Sequence, residues 1–193
     1  MGMGEPFDNY DNVMGAIRVL TDPLGLGFGV HHITVSTSGR VDEIYRFMEE
    51  EGPIPHLAVS LNAPTDEQRN RLMPINKRHS LSDLYNAMKA YNTKRGKSIL
   101  VAYVLLRGQN DSIEHAEQLA NFLQGLNVKI NVIPYNPQSR DRYQPPEQSV
   151  LEAFTDHLRS KGYYTLLRQT KGQKIMAACG QLGNVKLRRK NVE

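Results

Sequence analysis

The segment Ile99-Leu-Val-Ala-Tyr-Val-Leu-Leu106 decides the fold. It is nearly all apolar, with no polar alternation, as a strand buried on both faces of a parallel sheet would be. Working outward, Leu81, Leu84, Tyr85, Met88 and Tyr91 keep the spacing of an amphipathic helix that ends at Gly96. Leu57 to Leu61 is a short apolar strand, followed by a possible capping box at Thr65 and Gln68. Further back lie a helix on Val41, Ile44, Tyr45 and Met48, a strand at Ile33-Thr34-Val35, and a helix on Val13, Ala16, Ile17 and Leu20 after a turn at Asp8-Asn9.

On the C-terminal side, Asp111 and Glu114 are placed to cap a helix carrying Ile113, Ala116, Ala120 and Leu123, stopped by Gly125. Val128 to Ile133 reads as the next strand. Pro145-Pro146 precede a helix on Val150, Leu151, Phe154 and Leu158, and Tyr163 to Leu167 is a last short strand. Strand and helix alternate at intervals of about 25–40 residues, the rhythm of right-handed βαβ units on a parallel sheet. Four or five units are too few for a closed eight-unit barrel, which leaves a partial barrel or an open α/β sheet.

The composition narrows the class. The 193 residues are 39% hydrophobic and 23% charged, and they suit one sizeable core. No apolar run approaches the roughly 18–20 residues that span a bilayer, so a membrane protein is excluded. Glu5, Asp8 and Asp11 near the start argue against a secretory leader. The single cysteine, Cys179, forbids an intramolecular disulfide and suits a reducing, cytoplasmic setting. Net charge is +4, and the tail from Lys186 to Lys190 holds four basic residues in five positions. Both features are compatible with a phosphate-bearing partner and equally with a solvated surface.

Ligands of parallel α/β folds bind at the carboxyl ends of the strands. Here those ends read Ser36-Thr37-Ser38-Gly39, Ser60-Leu61-Asn62 and Tyr135-Asn136-Pro137. Each alone reads as a turn or a helix cap. Together they converge uncharged hydrogen-bonding groups on one rim, which suits a polar organic ligand. The glycines at 25, 27 and 29 lie between a helix and the next strand, the wrong order for a dinucleotide loop. The six histidines show no zinc-ligand spacing. Arg69, Arg71, Lys77, Arg78, Arg140 and Arg142 flank polar loops, where they could meet RNA phosphates or simply solvent.

Six motifs occur in a telling order: Met1 to Pro6 with its Gly4-Glu5 pair, Ser36 to Gly39, Leu57 to Asn62, Leu72 to Asn76, Asn131 to Asn136, and Ala177-Ala-Cys-Gly-Gln-Leu182. Together they closely resemble the radical S-adenosylmethionine (SAM) 23S rRNA adenine methyltransferases, the RlmN/Cfr family, over residues 1 to 183. The resemblance implies a partial (βα) barrel of the radical SAM type with parallel strands, followed by a basic tail at 184–193. It implies C2 methylation of adenine in 23S rRNA, and of tRNA. It assigns Gly4, Glu5, Ser36, Ser60, Leu61, Asn62 and Asn136 to SAM. Many relatives have histidine where this chain has Asn62, and an amide cannot take up a proton near neutral pH.

Read alone, Cys179 is a small buried hydrophobe. Its small neighbours Ala177, Ala178 and Gly180 permit close approach by a bulky group, and Arg168, Lys171 and Lys174 would favour a thiolate. In the resembled family the matching cysteine carries the methyl group as S-methylcysteine. That family also holds a [4Fe–4S] cluster on a Cys-x3-Cys-x2-Cys motif upstream of the Gly-Glu pair. One cysteine cannot supply three thiolates, so the sequence is expected to lack the cluster site and to represent a barrel truncated on its N-terminal side. The chain alone is then expected to be inactive. It would be either a non-catalytic SAM- or RNA-binding fragment or one half of a split enzyme, with a separate N-terminal half as partner. An unrelated barrel enzyme for a phosphorylated metabolite would want a Gly-rich phosphate loop, and Ile133 to Asn136 makes a poor one.

Overall fold

The computed structural model describes residues 4–137 and 142–168. Five strands, β1 (Thr34–Thr37), β2 (His56–Ser60), β3 (Ile99–Leu105), β4 (Val128–Pro134) and β5 (Thr165–Leu167), form one sheet in the order β1-β2-β3-β4-β5. Every pairing is parallel. The helices are α1 (Tyr10–Thr21), α2 (Val41–Glu49), α3 (Asp66–Leu72), α4 (Leu81–Arg95), α5 (Ile113–Phe122) and α6 (Gln148–Ser160). Each strand lies beside its predecessor, so right-handed crossovers keep the helices on one face and the sheet advances as a barrel wall. This order decides between the two expected architectures in favour of the partial barrel.

The two faces of the sheet differ in chemistry. Val35, Leu57, Val59, Val101, Tyr103, Ile130 and Val132 alternate onto the helix side and are buried in the core. The opposite face carries Ser36, Ser60 and Asn131, all partly open to solvent, with Ala58 and Ala102 between them. Small residues at these positions leave room inside the wall. β3 is apolar on both faces because it sits in the middle of the sheet, paired to β2 and β4.

Local signals set most element ends. Ser80 and Asp83 close a full capping box on α4, and Gly96 ends that helix at φ 62°. Two expected caps differ. Thr65 accepts the Gln68 amide at 3.3 Å, but the Gln68 side chain reaches the Gln109 carbonyl at 2.6 Å instead of completing the box. Helix α5 is capped by Ser112 with His115, while Asp111 accepts the Gly108 amide in the preceding turn. A hydroxyl one residue closer to the helix won the cap.

Candidate functional site

A cavity of about 480 Å³ opens at the β1 side of the sheet. Its polar wall is built by Glu5, Ser36, Ser38 and Ser60, and its apolar wall includes Val13 and Ile17 of α1. Pro6 starts a short 3-10 turn that sets Glu5 above the end of β1. One Glu5 carboxylate oxygen accepts the Ser38 amide at 2.6 Å and the Ser38 hydroxyl at 2.7 Å. The other accepts the Phe7 amide at 3.2 Å. Charge-assisted bonds of this kind fix a carboxylate's direction, and the oxygen bonded to Phe7 keeps a further lone pair for a cationic guest.

The structure brings together four of the seven described candidates. Gly4, Glu5, Ser36 and Ser60 line this one cavity, with Gly4 at φ 84°. Leu61 is fully buried, and its side chain belongs to the core beneath the helices. Asn62 sits at φ 59°, where its side-chain oxygen accepts the Val104 amide at 2.9 Å and its amide nitrogen approaches the Met73 sulfur at 3.2 Å. Asn136 follows β4 and is buried. Cys179 and the basic tail lie outside the described residues.

Sequence reasoning missed Arg69. Placed among residues that could face phosphate, it is instead fully buried. Its guanidinium donates to the carbonyls of Ser38 at 2.6 Å, Leu61 at 3.1 Å and Ser60 at 3.3 Å, and to the Asn76 side-chain oxygen at 2.9 Å. Asn76 in turn donates to Asp66 at 2.7 Å. Burial pushes the Arg69 pKa down to about 10, offset in part by the Asp66 charge, so it remains a cation at neutral pH. Of the other basic candidates, Arg71, Lys77, Arg78 and Arg142 are exposed, and Arg140 lies outside the described residues. Among the described residues, no group of three or more histidine, cysteine or acidic side chains is placed to hold a metal ion.

The Radical SAM superfamily model matches residues 1–123. The chain belongs to the radical SAM superfamily. Within it, 190 residues are 67% identical to the probable dual-specificity RNA methyltransferase RlmN 1 of Protochlamydia amoebophila (strain UWE25), covering 98% of this chain and 53% of that protein. The probable dual-specificity RNA methyltransferase RlmN of Bacillus thuringiensis (strain Al Hakam) is 45% identical over 183 residues, 94% of this chain and 50% of that one. This radical SAM chain therefore spans about half the length of the curated relatives it matches.

Solved structures agree. A radical SAM methyltransferase from Sphaerobacter thermophilus superposes with a TM-score of 0.91 at 41% identity, over 94% of this chain and 53% of that one. A domain of pyruvate-formate lyase-activating enzyme from Bacteroides vulgatus ATCC 8482 gives 0.65 at 17% identity, over 86% of this chain and 96% of that one, and shows the shared fold alone.

Proposed function

We propose that this chain is the SAM-binding, methyl-carrying portion of an RlmN-type enzyme that methylates C2 of adenine in 23S rRNA and tRNA. The observation that carries the reading is the Glu5 carboxylate, held by Ser38 beside the hydroxyls of Ser36 and Ser60 in one cavity. That donor and acceptor set fits an amino-acid ammonium and the polar groups of a nucleoside, while Val13 and Ile17 offer an apolar wall. The relatives' names supply the RNA substrate class.

SAM, when bound, supplies an electrophilic methyl group. Glu5 would bind and orient its ammonium end, and Ser36 and Ser60 would fix its polar body. Cys179, in its Ala-Cys-Gly setting, would take the methyl on its thiolate as the sulfonium carbon–sulfur bond breaks and S-adenosylhomocysteine leaves. A [4Fe–4S] cluster does not fit the donors of this chain, because the sequence has one cysteine and the cluster needs three thiolates or more. Residues outside this sequence would provide it.

A second reading, in which the chain works with a separate polypeptide, rests on β1. Among the described residues β1 pairs with β2 alone, and the cavity runs along its other side. An open strand edge beside a ligand cavity suits an added strand. No described helix is long and apolar enough to cross a membrane, and we place the protein in the cytoplasm on its single-cysteine composition.

Calorimetry with SAM and anaerobic reconstitution with iron and sulfide test the assignment. The expected result is saturable SAM binding that is weakened but still measurable in Glu5→Gln, with iron far below one cluster per chain. A stoichiometric cluster with SAM cleavage by this chain alone would overturn the division of labour. Absence of SAM binding would overturn the site.

A further inference from the structure

We propose that Arg69 is the positioning residue of the cavity, aiming the Glu5 carboxylate through Ser38; this rests on the reading of that cavity as the SAM site. A fully buried guanidinium is costly without a counter-ion, and among the described residues Arg69 forms no ion pair. Its donors are spent instead on three main-chain carbonyls at the ends of β1 and β2 and on Asn76. Such a fork, planar and many-toothed, can hold two adjacent strand ends at a fixed separation.

Ser38 is where this grip meets the ligand wall. Its carbonyl accepts from Arg69 at 2.6 Å, while its amide and hydroxyl donate to Glu5 at 2.6 and 2.7 Å. The backbone of Ser38 is thereby pinned on both sides of its α-carbon. Gly39 follows at φ 108°, a turn that glycine alone adopts without strain, and a β-carbon there would lie 3.0 Å from Arg69 Nη2. The sharp turn brings the Ser38 carbonyl down onto Arg69 and leaves its amide facing Glu5. Arg69 is not among the residues lining the cavity; it meets the wall through the carbonyls of Ser38 and Ser60, and its path to Glu5 runs through Ser38.

The test uses the full chain, 15N-labelled, as wild type, Arg69→Lys, Glu5→Gln and the double variant. Lysine keeps the charge but cannot serve four acceptors from one plane. Arg69→Lys is expected to weaken SAM binding about tenfold and to move the Ser38 amide proton upfield, as is expected of Glu5→Gln. The double variant is expected to bind no more weakly than Glu5→Gln alone, because both changes act on one clamp. A purely structural Arg69 would lower the melting temperature yet leave the Ser38 amide in place, or add its full effect to that of Glu5→Gln. Either result overturns the inference. If the wild type binds no SAM, the cavity reading fails by itself, and the Ser38 amide still decides whether Arg69 aims Glu5. Should Arg69→Lys not fold, Asn76→Ala, which frees one guanidinium nitrogen and spares the carbonyl contacts, carries the same comparison.

Discussion

Asn62 and Val104 are joined where β2 and β3 part. The Asn62 side-chain oxygen accepts the Val104 amide at 2.9 Å, although Asn62 itself sits at φ 59°. Asn110 completes the plug by donating to the Asn62 carbonyl and to the Val104 carbonyl, both at 2.8 Å. Two side-chain amides thus continue the ladder after the strand backbone has turned away.

Asn62→Ala is expected to cost about 1–3 kcal/mol, because it strands a backbone donor and places an ordinary residue in the left-handed region. Asn62→Asp keeps the acceptor and should lose less. Urea denaturation of the three proteins checks the order, and equal midpoints would show that the bond contributes nothing.

Gly39 and Gly96 separate two kinds of glycine requirement. Both have positive φ, but only at Gly39 would a β-carbon meet neighbours, 3.0 Å from Arg69 and 3.5 Å from Leu84. Gly96→Ala should lose about 1 kcal/mol from backbone strain. Gly39→Ala should lose about 1–3 kcal/mol in all and weaken SAM binding as well. Matching losses in the two variants would refute the close approach.

Ser60→Ala tests the cavity without disturbing its frame, because Arg69 holds the Ser60 carbonyl and not its hydroxyl. Stability should stay within about 0.5 kcal/mol of wild type, while SAM affinity falls about three- to tenfold. Calorimetry beside thermal denaturation reads both quantities.

Glu117 carries a pH dependence of known sign. Hydrogen bonds from Lys161 and His157 hold its carboxyl below the ordinary 4.5, tying α5 to α6. The unfolded chain therefore takes up the proton first as pH falls. The contribution is present above about pH 4.5 and fades as pH drops through the lower folded value. Melting curves of wild type and Glu117→Gln should differ near neutrality and converge in acid. A constant gap would mean the carboxylate's charge is irrelevant.

Much of the scaffold was legible because burial writes itself into side chains. Ile99 to Leu106 announced a central strand, and Val150, Leu151, Phe154 and Leu158 announced α6. Ser36 and Ser60 were legible as a rim because hydroxyls directly follow or interrupt apolar runs. The role of Asn62 was not, since an amide that accepts from a main-chain N–H looks in sequence like one awaiting a ligand. Arg69 was least legible. Its partners are mostly peptide carbonyls, which every residue possesses, so nothing at positions 38, 60 or 61 betrays the contact.

That anonymity has an evolutionary face. A clasp that recognises only peptide oxygens is indifferent to the letters at those positions. Substitutions at 60, whose side chain faces the cavity and whose carbonyl alone is clasped, can therefore explore new guest molecules while the masonry beneath stands unchanged.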